Sequence, residues 1–239
     1  MKKSIGILGG MGPLATADLF TKIVNWTEAN CDNDHVRVCI DSNSAIADRT
    51  AAILSGGKDP VPEMESALRH LEACGVSCIV MPCNTAHYFL PRLRALTPTP
   101  MLNMLEETAK SCAARYPGQV AGILATRGTL QTGLYTQALA AQGVESIMPD
   151  EAGMDALMAA IYDGVKKGAP LEPFRHSVEA LLMQMRAEGA TYFILGCTEL
   201  PILQQTLALA GTFVDPGAEV AKAAIRFCGY RVKGETESN

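Results

Sequence analysis

Gly75-Val76-Ser77-Cys78-Ile79-Val80-Met81-Pro82-Cys83 and Gly189-Ala190-Thr191-Tyr192-Phe193-Ile194-Leu195-Gly196-Cys197 are two versions of one pattern. Each opens on a glycine that ends an amphipathic helical stretch, continues as a short apolar run and stops at a cysteine. A second pair lies upstream: Gly6-Ile7-Leu8-Gly9-Gly10-Met11-Gly12-Pro13-Leu14 aligns with Gly122-Ile123-Leu124-Ala125-Thr126-Arg127-Gly128-Thr129-Leu130. Both second copies follow the first by about 115 residues, a period too long for a solenoid. The reading is therefore two similar α/β lobes. If a pseudo-twofold axis relates them, the two repeat cysteines face each other.

The rest of the chain fits that frame. Ile5–Leu8, Val36–Ile40, Cys78–Met81, Val120–Leu124 and Tyr192–Leu195 read as buried strands. Glu63–Cys74, Leu102–Arg115, Met154–Lys167 and Val178–Glu188 carry helical periodicity between them. Such alternation predicts mainly parallel sheets covered by helices. The loop Thr97-Pro98-Thr99-Pro100, near the middle, is the expected crossing between lobes.

Composition narrows the function. Of 239 residues, 48% are apolar and 19% charged, which supports a packed core and argues against extended disorder. Twenty-five acids against 20 bases give a net charge of −5, and no Lys/Arg run exceeds two, so a nucleic-acid partner is not expected. No apolar run has the length of a membrane span. Met1-Lys2-Lys3-Ser4 has the charge of a signal peptide, but the apolar stretch after it breaks at Gly9-Gly10; a soluble cytoplasmic protein is expected. The first glycine turn lacks the G-x-G-x-x-G spacing of a dinucleotide loop, and no phosphate-loop motif occurs.

The eight cysteines divide by context. Most, Cys39 among them, sit in apolar patterns and are read as buried, inert small hydrophobes. Cys74 and Cys78 have no second ligand pair at zinc spacing, and Cys83 with His87 lacks further ligands, so no metal is expected. Cys83 and Cys197 differ because they end strands, where ligands bind in open α/β sheets. Polar residues follow each of them: Asn84-Thr85 and Thr198-Glu199. A helix starting just after each cysteine would lower its thiol pKa. Two like acid–base groups on opposite sides of one cleft suit a symmetric proton exchange: a thiolate removes a proton from one face of a carbon while a thiol delivers one to the other. The carbanion-like state then needs aimed donors, which the turns Gly9-Gly10-Met11-Gly12 and Ala125-Thr126-Arg127-Gly128-Thr129 supply.

Val80-Met81-Pro82-Cys83-Asn84-Thr85-Ala86-His87 and Leu195-Gly196-Cys197-Thr198-Glu199-Leu200-Pro201 resemble the two cysteine signatures of the aspartate/glutamate racemase family, which works without pyridoxal phosphate. The opening glycine turn, Ala47-Asp48-Arg49-Thr50, Ala125–Thr129 and Ile161-Tyr162-Asp163-Gly164-Val165-Lys166 extend the resemblance over most of the chain. Glutamate racemases usually carry Asp-Ser-Gly in the first turn and a His two residues after the second cysteine. Met11-Gly12 and Glu199 occupy those places here, so the chain is similar to the aspartate racemase branch.

The resemblance implies two Rossmann-like lobes with the active site in the cleft between them. Residues 1–98 with 210–239 would form the first lobe and 99–209 the second. It implies Cys83 as the base for the D enantiomer and Cys197 for the L. Met11, Asn84, Thr85, Thr126, Thr129 and Thr198 would bind the substrate, and Arg49 and Lys166 would hold its side-chain carboxylate. A homodimer without a cofactor is the family expectation. His87 either tunes Cys83 or caps a helix, and Glu199 either orients or deprotonates Cys197 or serves as a helix N-terminal acid. His35, His70 and His176 read as surface residues. The competing readings are a hydantoin racemase, a maleate isomerase, a decarboxylase, and a non-catalytic binding protein for acidic amino acids.

Overall fold

Every residue of Ser4–Gly9 is buried, and after Ser4 the run holds no polar side chain instead of alternating. It forms β1, the middle strand of a three-stranded parallel sheet. The computed structural model describes residues 3–235. They form two compact units: residues up to 107 together with those from 217 onward, and residues 108–216.

In the first unit β1 is followed by α1 (Pro13–Trp26), β2 (Arg37–Ser42), α2 (Arg49–Leu54), α3 (Val61–Ala73), β3 (Cys78–Val80) and α4 (Leu90–Arg94). The sheet order is β2-β1-β3, every pair parallel. Met64, Leu68 and Leu71 of α3 recur at helical spacing and share a core with Leu8 and Ile79 of the sheet. Gly75, at φ +69, ends α3 by donating its N–H to the Glu72 carbonyl at 2.9 Å, as the glycine at the head of the repeat predicts.

The Pro98/Pro100 loop is not the crossing that the sequence led us to expect. Ile79 N–H donates to the Pro100 carbonyl at 2.8 Å and Leu102 N–H to the Ile79 carbonyl at 3.0 Å, so this stretch runs beside β3. The chain passes to the second unit inside α5 (Met104–Arg115), after Glu107.

The second unit continues with β4 (Ala121–Ala125), α6 (Arg127–Gln131), α7 (Leu134–Ala140), β5 (Ser146–Ile147), α8 (Glu151–Ala159), α9 (Arg175–Ala187), β6 (Tyr192–Gly196), α10 (Leu200–Thr206) and β7 (Phe213–Val214). Its sheet order is β5-β4-β6-β7, again all parallel. Gly189, at φ +112, ends α9 through a bond to the Arg186 carbonyl, the counterpart of Gly75. β7 belongs to this sheet, whereas the resemblance implies a first lobe that includes residues from 210 onward. Its apolar pair meets Phe193 and Ile194 of β6. The helix after it, α11 (Pro216–Phe227), falls in the first unit, where Lys222 lies 4.1 Å from the Trp26 ring centroid and Lys233 N–H donates to the Trp26 carbonyl.

The stretch expected as one helix over Met154–Lys167 is broken: α8 stops at Ala159, a π turn covers Ala160–Gly164, and a 3₁₀ turn Val165–Lys167 ends at Gly168. A π turn is wider than the α-helix and a 3₁₀ turn tighter, so the pair changes the facing of the residues after Ala159. Among the described residues no helix is long and apolar enough to cross a membrane.

Candidate active site

In each unit two turns leave the carboxyl ends of adjacent strands, where parallel sheets place their ligands. In the first unit these are the β1–α1 turn carrying Met11 and the β3 loop carrying Cys83. In the second they are the β4–α6 turn carrying Thr126 and the β6–α10 turn carrying Cys197.

The first turn passes close to the end of β2. A Cβ on Gly10 would sit 2.2 Å from the Asn43 carbonyl oxygen, so only glycine fits there. Gly10 N–H donates to Thr16 Oγ1 at 2.9 Å, and that hydroxyl donates to the Gly12 carbonyl at 3.0 Å. Arg49, at the start of α2, is buried at 8% exposure rather than lying on the surface. Its guanidinium donates to the carbonyls of Met11, Ala47 and Ile46, at 3.0, 3.0 and 3.4 Å. Arg49 thus ties the Met11 turn to the loop after β2.

Cys83 is buried with Asn84 and Thr85 beside it. A 3₁₀ turn, Thr85–Phe89, follows rather than a regular α-helix. His87, fully enclosed, reaches in two directions. Its Nε2 accepts the Met104 N–H at 3.1 Å, which leaves Nδ1 as the protonated nitrogen, 2.9 Å from the Cys83 carbonyl. The imidazole therefore bridges the cysteine loop and the first turn of α5. Burial depresses its pKa from 6.5 to about 4, so it is neutral near pH 7.

The second cysteine has a different neighbourhood. The Cys197 thiol donates to Glu199 Oε2 at 2.9 Å, and Thr198 Oγ1 donates to the same oxygen at 3.2 Å. Both Cys197 and Glu199 are buried. Burial, then the Glu199 charge and hydrogen bond, push the thiol pKa well above its ordinary value, against a smaller opposing pull from Lys166. This corrects the expectation of a lowered thiol: the low-dielectric surroundings and a neighbouring carboxylate outweigh the turn that follows. Lys166 itself is exposed, its ammonium 4.3 Å from the Tyr162 ring centroid. Thr126 caps α6, its hydroxyl 3.1 Å from that of Thr129; both are buried. Arg127, next to Thr126, is turned away onto Glu151 and Asp155.

The expected residues thus gather into clusters within units: Met11 with Arg49 and Cys83 with His87 in the first, Cys197 with Thr198 and Glu199, and Thr126 with Thr129, in the second. Tyr135 of α7 escaped the sequence reading. It is fully buried, packs within 3.0 Å of where a Gly196 Cβ would stand, and hydrogen-bonds the Thr108 side chain. A lone Tyr on an amphipathic helix carries no signal of that position. Contrary to expectation, Cys39 is only half-buried, and Cys31 and Cys74 are exposed. His70 and His176 are exposed as expected, whereas His35 is half-buried.

Residues 8–224 match the family model described as Asp/Glu/Hydantoin racemase. The chain is 28% identical over 229 residues to the broad specificity amino-acid racemase RacX of Bacillus subtilis, covering 92% of this chain and 96% of that protein. It is 33% identical over 176 residues to the glutamate racemase of Cupriavidus pinatubonensis, covering 69% of this chain but 63% of that relative's length. Among solved structures, the Picrophilus torridus aspartate racemase superposes with a TM-score of 0.81 at 30% identity, covering 97% of this chain and 96% of that one. Two α/β units with a buried cysteine at a strand end in each, and these relatives, define the class: the protein is an isomerase, a racemase. The chain belongs to the Asp/Glu/Hydantoin racemase family.

Proposed function

We propose that the protein racemises an acidic amino acid, aspartate or glutamate, without a cofactor, with Cys83 and Cys197 as the two bases. The observation that carries this reading is the buried Cys197–Glu199 pair at the end of β6, matched by Cys83 at the end of β3. A thiol held protonated beside a carboxylate is a competent proton donor, and that carboxylate is a route for its proton to leave. With a D substrate, Cys83 thiolate takes the Cα proton and the Cys197 thiol delivers one to the opposite face. With an L substrate the roles reverse, and Cys197 first gives its proton up with Glu199 as acceptor. Each pKa unit between Cα–H and base adds about 1.4 kcal/mol to the transfer, so the carbanion-like state needs donors in place before the reaction. Asn84, Thr85, Thr126, Thr129, Thr198 and the Met11 turn are assigned that task. Arg49 and Lys166 are assigned to the side-chain carboxylate.

The exposed position of Lys166 and the commitment of Arg49 to three carbonyls favour a second reading, in which side-chain recognition is loose and neutral amino acids are also turned over. The full-length similarity to a protein described as a broad specificity racemase points the same way. A cytoplasmic homodimer completes the proposal. Leu14, Phe20 and Val24 of α1, with Ile40 on the edge strand β2, supply an exposed apolar surface for a second copy, and sedimentation of the purified chain tests it.

The deciding experiment is proton NMR of L- and then D-aspartate with purified protein in D₂O and no added cofactor. Loss of the Cα–H signal from both, with the opposite enantiomer appearing on a chiral column, is the expected result. Exchange of one enantiomer alone contradicts two working bases. Silence with aspartate and glutamate, followed by turnover of neutral amino acids, moves the assignment to the second reading. Binding without exchange for any amino acid returns the protein to the non-catalytic class.

A further inference from the structure

We infer that Cys39 and Cys74, outside the candidate active site, form a reversible intrachain disulfide when the protein meets a peroxide. Cys39 lies on β2 and Cys74 closes the last turn of α3, two elements that pack against each other in the first unit. Their sulfurs are 2.6 Å apart, with the Cys39 S–H directed at the Cys74 sulfur. The juxtaposition follows from regular geometry. Two residues on along β2, Asp41 shares the face of Cys39, and one turn back along α3, His70 shares the face of Cys74. Those two also meet, His70 Nδ1 lying 2.7 Å from Asp41 Oδ2. The strand and the helix are therefore in register at two successive positions, and the sulfur pair is one of them.

Access separates this pair from the other close cysteines. Cys74 is exposed and Cys39 half-buried, whereas Cys78 and Cys228, with sulfurs 4.0 Å apart, are both buried. Among the described residues no group of three or more His, Cys, Asp or Glu side chains converges as metal ligands would, so the pair is read as a dithiol and not as part of a metal site. Cys74, the exposed sulfur, is the one a peroxide reaches, while donation to Cys74 and partial burial push the Cys39 thiol up and keep its proton in place. The Cys74 thiolate attacks hydrogen peroxide: an S–O bond forms, the O–O bond breaks, and hydroxide leaves to take up a proton. Cys39 sulfur then attacks the Cys74 sulfenic acid; the S–S bond forms, the S–O bond breaks, and a second water departs. Two thiols are oxidised by two electrons and one peroxide is reduced to two waters.

The test is peptide mapping of the full-length protein after stoichiometric hydrogen peroxide, digested with trypsin without reductant. The expected product joins residues 38–49 to residues 70–92, about 2 Da lighter than the two peptides together. Dithiothreitol should cleave it. Because the second peptide also holds Cys78 and Cys83, the link must vanish in Cys39→Ser and Cys74→Ser and persist in Cys78→Ser and Cys83→Ser. Oxidised wild type should also melt a few degrees higher than reduced, a rise absent from Cys39→Ser. A link that survives Cys74→Ser, a covalent dimer through Cys74, sulfinic acid on Cys74 with no link, or zinc retained on the native protein would each overturn the inference. The readout is mass and melting, so it stands or falls independently of the proposed reaction. Under reducing conditions Cys39→Ser and Cys74→Ser should retain wild-type activity.

Discussion

The loops leaving β3 and β6 each carry a cysteine, three residues past the first strand and directly after the second, and treat it differently. At β6 the polar neighbours act on the side chain: Glu199 takes the Cys197 S–H and adds to the rise in pKa that burial imposes. At β3 the imidazole of His87 acts on the backbone, fixing the Cys83 carbonyl and reaching across to α5. The repeat places a thiol after a sheet strand in each unit, while burial and the Glu199 carboxylate hold the proton on Cys197. A racemase must work in both directions, and under the proposed two-base reaction this difference makes the two directions unequal in what they require.

The most severe way to break the comparison is to remove either thiol. Cys83→Ser and Cys197→Ser should each cut racemisation by about 10³-fold or more, measured by circular dichroism of the enantiomer pair. Full activity in both directions from both variants would falsify the two-base proposal. Glu199→Gln should cost about 10²-fold in the L-to-D direction and distinctly less from D to L, because only the former needs Cys197 as base. The wild-type L-to-D rate should keep climbing into alkaline pH, since the raised thiol ionises late. Without the Glu199 charge the thiol pKa falls, and that rise should move to lower pH. Equal losses in the two directions, with an unmoved profile, would leave Glu199 a packing role only.

His87 sharpens the other side. Its folded-state pKa of about 4 lies below the ordinary 6.5, so the unfolded chain binds the proton more tightly. The stability it contributes is complete above pH 6.5 and is lost as pH falls toward 4, about 3 kcal/mol across the interval. His87→Gln should flatten the dependence of melting temperature on pH in that window; an unchanged acid slope would show that the histidine is not the group responsible. The smallest effect is expected at Lys166, an exposed cation: Lys166→Gln should raise KM for aspartate about fivefold or less and leave kcat alone. If KM for a neutral amino acid moves equally, Lys166 does not read the side-chain carboxylate.

Much of this was legible from order along the chain. A strand buried on both faces must be apolar without alternation, a helix that stops before it calls for a glycine with positive φ, and a duplicated pattern must appear twice. Those local rules gave the strands around Ile7, Ile79, Ile123 and Ile194, the terminators Gly75 and Gly189, and the two cysteines at strand ends. What they could not give depends on partners distant in sequence. The crossing lies inside α5 rather than at Pro98/Pro100 because residues 100–102 find hydrogen bonds along β3. Residues 213–214 join β6 because two apolar residues gain a sheet edge there. Arg49 is a buried clamp because three carbonyls from two loops converge on it.

The sequence by itself determined the two-unit α/β plan and the placement of Cys83 and Cys197, since both follow from periodicity and repetition that any local segment displays. Only the tertiary structure decided the protonation bias of Cys197, the tautomer of His87 and the meeting of Cys39 with Cys74. Charge state, hydrogen-bond direction and sulfur proximity depend on burial and on groups brought together by folding, which no stretch of sequence carries on its own.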